Sequence, residues 1–347
     1  MSVEGLALIA LFLALLALPL VPGIRELVRP RDDRPLEIDL DVTVDPRRAG
    51  RSFREGLAAL RARAGDGIPA RGPVDPERPG GDAYEIHRDL LVPPDGSGPA
   101  LTIVLGKADV GERARLGDLY AQGDARLGAG VRVRSLAADG ILALGPGCVV
   151  EQWLDAEGGA DVAAGTRLGD QASAGGRLRL GPGCAFGRLW GLPVTTEAAG
   201  ATAERAAPPA PGEAEATLDD HVMWTGRRLT MPRGFTLDRD LVVRGEVRMS
   251  PGSRVRGSIK AYGRLHLGGD AEVDGSLICR RSIQIDGPAT IRGNVFAEGD
   301  IVIGPGTTIG QEGGFKSVYA LGRVELAPDV RVFGWVVAEG TGVVSGS

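Results

Sequence analysis

The stretch RGEVRMSPGSRVRGSIKAYGRLHLGGDAEVDGSLICRRSIQIDGPATIRGNVFAEGDIVIGPG, residues 244–306, decides the fold. The pairs Val247/Met249, Leu265/Leu267, Ile283/Ile285 and Ile301/Ile303 recur every 18 residues, and Val324/Leu326 follows after 23. Between the members of each pair stand Arg248, His266, Gln284, Val302 and Glu325, so the alternation has the period of a strand. Val255, Val273, Ile291, Ile309 and Val332 keep the same register, as do Ile259, Leu277, Val295, Val318 and Val336. Ala261, Cys279, Ala297, Ala320 and Ala338 form a column of small residues, and Gly257, Gly275, Gly293 and Gly334 mark a corner. A coil of 18 residues cannot bury its own apolar side chains, but coils stacked about 4.8 Å apart can. The pattern predicts an all-β fold, a parallel β-helix built as a three-sided solenoid, in which each large ladder residue contributes roughly 1.5–3 kcal/mol. The five extra residues of the longer step bulge as a loop around Gln311 to Lys316.

Upstream the repeat is looser. Ala125/Leu127, Leu142/Leu144, Ala160/Val162 and Leu178/Leu180 recur at steps of 17, 18 and 18, and LGPGC occurs at 144–148 and 180–184. Residues 83–192 therefore read as a first, irregular β-helix segment and 232–347 as a second. Residues 193–231 between them, Ala- and Pro-rich at the centre, read as a linker.

The N-terminus carries an uncharged run over residues 5–24, long enough as a helix to cross a hydrocarbon core. Arg25, Arg29, Arg31 and Arg34 follow it, which places the C-terminal side in the cytoplasm. The expectation is a transmembrane anchor over 1–24 in the inner (cytoplasmic) membrane; a cleaved signal peptide, which prefers positive charge before the apolar run, is the competing reading. Residues 25–82 form a juxtamembrane segment. In it Asp45 and Pro46 start a short helix over about 46–63, with Ala49, Phe53, Leu57 and Leu60 on one face. That face either packs on the domain, or Arg47, Arg48, Arg51 and Arg54 hold the helix against anionic lipid.

At this point the quoted stretch resembles the bactofilins, polymer-forming cytoskeletal proteins of bacteria. A Gly precedes each new face, as in RGSI, DGSL and RGNV, and a V-x-I or L-x-L pair follows. The likeness covers about residues 236–340. It implies a nucleotide-independent structural scaffold that assembles by stacking β-helices end to end, near the membrane. The second repeat array, the long linker and the anchor depart from the compact bactofilin pattern and point to a shorter, local assembly.

Composition narrows the chemistry. The net charge of −5 shows no basic stripe, so no nucleic-acid partner is expected. Three scattered cysteines, Cys148, Cys184 and Cys279, offer neither a CxxC metal pair nor a disulfide framework, and no phosphate loop precedes a GK[ST]. No cofactor, metal or catalytic residue is assigned. The rival reading is a hexapeptide-repeat-like acyltransferase, because IGPGTTIG at 303–310 fits that repeat, but such enzymes use a His base and His266 points outward from a flat face. An exported β-helix adhesin is the alternative if the N-terminus is cleaved. The surface worth testing is for self-assembly. Ile278, Phe296, Tyr319 and Val337 form an outward apolar column, with Phe333 and Trp335 beside it, and residues 217–237 are one candidate cover for it. Val332 and Val336 belong to the last coil, residues 326–337, which the sequence leaves without a cap. The expected partners are a second copy of the chain, the membrane and envelope-associated proteins.

Overall fold

Leu265–Leu267, Ile283–Ile285, Ile301–Ile303 and Val324–Leu326 are short strands, each with its outer two residues buried and its middle residue turned outward. They pair in parallel, Leu267 with Ile285, Ile285 with Ile303 and Ile303 with Leu326. The 18-residue period therefore becomes a physical ladder, and its inward members are closed to solvent. The computed structural model describes residues 45–64, 71–74, 83–197, 221–224 and 226–346. The anchor expected over 1–24 lies outside them; among the described residues no helix is long and apolar enough to cross a membrane. Pro46–Ser347 forms one compact unit, a β-solenoid of about thirteen turns with a continuous core of its own.

The first half climbs from Ala83–His87 to Ala185–Thr196, every coil parallel to the one before it. Its last strand runs to Thr196 and pairs Val194–Thr196 with Leu178–Leu180, so it extends into the stretch read as linker. The second half begins with His221–Trp224, Arg228–Met231 and Thr236–Leu237, one strand for each face of the triangle. His221–Trp224 and Arg228–Met231 thus belong to the solenoid rather than to the linker. Met223 pairs with Val242, and Val242 with Lys260, so Met223 enters the outward apolar column's register two coils before Lys260. The weak pattern over the opening coil of the second half has a physical cause: among the described residues this coil has a neighbour on one side only, so its side chains are less constrained.

The two halves stack end to end with opposite chain direction. Ala185–Thr196 pairs antiparallel with Arg331–Val344 along all three faces: Ala185 with Val343, Leu189 with Val336, and Val194 with Val332. One hydrophobic core runs through the junction from Val92 to Val344.

Among the described residues one helix, α1 (Arg48–Ala64), lies against the first half. Leu57 and Phe53 pack among Tyr84, Leu101, Ile103, Tyr120 and Trp153, outward-facing residues of that half. The Phe53 ring meets Trp153 edge-on at 5.2 Å and Tyr120 at 6.5 Å.

Candidate functional site

The last coil was expected to end open, and the structure corrects this. Val332 and Val336 are wholly buried within the junction, and Val337 lies opposite Arg188. Trp335 meets Trp190 at 5.5 Å, and Phe315 from the five-residue insertion reaches Trp190 at 5.6 Å. The loop bulging from the fourth coil thus crosses the seam between the halves. Phe333 is half-buried beside Gly310 at the root of this loop. The physical reason for closure is that the unpaired edge of a terminal coil is a template for another strand, and this chain supplies one of matching triangular section.

The outward column is partly enclosed. Phe296 and Tyr319 stack at 5.7 Å with their rings nearly parallel, and the Tyr319 hydroxyl donates to Glu339 at 2.9 Å, a bond that raises the phenol's pKa. Ile278 is 39% exposed. A shallow groove of about 690 Å³ opens at the seam, lined by Arg167, Asp170, Phe186, Arg188, Glu339 and Thr341 among others.

The opposite end of the second half is where an edge remains. Among the described residues, no strand pairs with the outer side of His221–Trp224, Arg228–Met231 or Thr236–Leu237. Leu229 and Leu237 point toward the core but are only half-buried, and Trp224 and Phe235 are 43% and 41% exposed. The first half differs, because Arg71–Pro73 lies antiparallel across its opening strand.

The feature that fixes α1 leaves no signal along the chain. Asp155 is fully buried in an outward position of the first half. Arg47 reaches its two carboxylate oxygens from Nε and Nη2 at 2.9 Å each, Arg54 Nη1 donates at 2.6 Å, and Ser173 Oγ at 2.7 Å. Arg54 also binds Asp139 at 2.7 Å and Arg47 binds Glu157 at 2.9 Å. Burial disfavours both guanidinium charges, but these carboxylate bonds outweigh it and raise both pKa values. Gly50 sits so close that an added Cβ would overlap the Asp155 carboxylate. Two of the four arginines considered for lipid are therefore committed to the protein's own surface.

His266, weighed as a base, and the other side chains of acid–base type make only local contacts. His266 Nε2 is 2.7 Å from Asp286, and His87 lies on the opening strand of the first half near Glu85. Asp274 pairs with Arg292 and Glu325 with Arg323. The three thiols are buried and free, and burial pushes each pKa up. No group of metal-ligating side chains occurs among the described residues. Comparison of the chain with protein-family models, with curated proteins and with solved structures returns no match.

Proposed function

We propose that this chain is a membrane-anchored structural scaffold that self-associates through a β-helix end, in the manner its resemblance to the bactofilins implies. The observation that carries the reading is the coil built from His221–Trp224, Arg228–Met231 and Thr236–Leu237, whose outer side pairs with no strand among the described residues and beside which Phe235 is exposed, at the far end from the closed junction. The junction supports it, because it is a worked instance of two coil ends of this sequence joining edge to edge. The partner on this reading is a second copy meeting the first at the same coil, which gives a closed pair rather than an endless filament. The apolar run over 5–24 and the arginines after it would hold the solenoid at the inner face of the cytoplasmic membrane, where it organises the envelope or positions partners.

Sedimentation of the unit from Pro46 onward tests the assembly. Dimers are expected at micromolar concentration, and Phe235→Asp or Leu229→Asp with Leu237→Asp should return monomers with unchanged circular dichroism. Wild-type protein that remains monomeric at high concentration would sink the proposal. Protease access in spheroplasts tests the topology, since the solenoid should be protected.

A further inference from the structure

The solenoid brings together a basic edge that the linear sequence disperses. At the corner that follows His221–Trp224, Asp240–Val243, Ile259–Ala261 and Leu277–Cys279, four successive coils present cations. Arg227, Arg244, Arg264 and Arg281 are exposed there, and Lys260 stands beside them on the adjoining face. None of these five has a carboxylate within 4.0 Å among the described residues; the two acids at the same corner are held by other arginines, Glu246 by Arg228 and Glu298 by Arg280. Stacked coils place them within a strip about 14 Å long, three spacings of about 4.8 Å.

Exposed apolar groups interleave with the charges. Tyr262, 40% exposed, lies at the centre of the strip, with Lys260 Nζ 5.4 Å and the Arg280 guanidinium 5.7 Å from its ring centroid. Ile278 stands on the face beside it, and Trp224 folds over the same corner, donating from Nε1 to the Arg228 carbonyl at 3.2 Å. Cations alone would suit any polyanion. Cations mixed with an exposed Tyr, Trp and Ile suit the boundary of a bilayer, where aromatic rings settle at headgroup level and arginines meet lipid phosphates.

We propose that this corner is a second membrane contact, independent of the N-terminal segment, that lays the second half of the solenoid along an anionic lipid surface. The five cations meet the phosphates, and Tyr262, Ile278 and Trp224 enter the interface. The lipid-facing role weighed for α1 falls instead to residues more than 150 positions further along the chain.

The test uses the unit from Pro46 onward, which holds the whole continuous core and lacks the apolar run. It is mixed with vesicles of phosphatidylcholine alone or with 30% phosphatidylglycerol, and bound protein is separated by flotation. Binding should require phosphatidylglycerol and fade above about 0.5 M salt, where charges are screened within a few ångströms. Each cation removed should cost about fivefold, the equivalent of roughly 1 kcal/mol. Arg244→Gln, Arg264→Gln and Arg281→Gln together should therefore weaken binding about 100-fold. Tyr262→Ala with Ile278→Asn should weaken it as well, and Phe235→Asp, aimed at self-association, should not abolish it. Equal binding to neutral vesicles would overturn the proposal. So would an equal loss on changing Arg88, Arg126 and Arg132 to Gln, or binding to heparin or single-stranded DNA without binding to vesicles.

Discussion

Asp155 shows how much one buried charge can organise. Its carboxylate is closed to water, so removing it would leave two largely buried guanidinium groups without their main partner. Asp155→Ala should cost roughly 3–5 kcal/mol, the range for breaking a buried pair, and should release α1, read as a lower urea midpoint and faster proteolysis between residues 46 and 64. Beside it Tyr120 donates to Asp139 at 2.6 Å, and burial together with that bond pushes its pKa up to about 12. The folded state favours the neutral phenol. Its contribution is complete below the unfolded pKa of about 10 and is lost as the pH rises to about 12. Tyr120→Phe should therefore flatten the fall in urea midpoint between these two values. In the ladders, Leu267 lies between Met249 and Ile285 with no solvent contact, and Leu267→Ala should cost 2–5 kcal/mol in the same assay. Gly334 has a φ of 135°, and a Cβ there would fall 2.3 Å from the Lys316 carbonyl oxygen. Gly334→Ala should destabilise by more than about 1 kcal/mol.

At the scale of elements, α1 and the insertion loop do comparable jobs on different parts of the solenoid. Each places an aromatic side chain on outward residues that would otherwise face water: Phe53 on Tyr120 and Trp153, and Phe315 on Trp190. The loop's position was legible, because the step from Ile301 to Val324 is five residues longer than its predecessors. Its target was not, since Trp190 is 125 residues upstream and comes near only through the antiparallel junction. Trp190→Ala should loosen the seam by roughly 3 kcal/mol. Hydrogen exchange should then rise at Leu189 and Val336, with little change at Leu265 or Ile283 in the middle of the second half.

Across the whole molecule, stability is a sum over neighbouring coils, and the junction is one more neighbour contact. Because it pairs backbone on all three faces and shares one core, the two halves should unfold in a single calorimetric transition. Val336→Asp, which buries a charge at the seam, should split that transition in two. Intact cooperativity in this variant would show that the junction contributes little.

The sequence by itself determined the coil. An 18-residue period with strand alternation admits few other packings, and every ladder from Val247 to Val336 could be assigned before any coordinates. It could not determine how the halves meet, because antiparallel pairing of two coil ends leaves no period to read. Nor could it expose Asp155 or the basic corner. Those are built from residues whose separation along the chain carries no pattern, and only the stacked coils set them side by side.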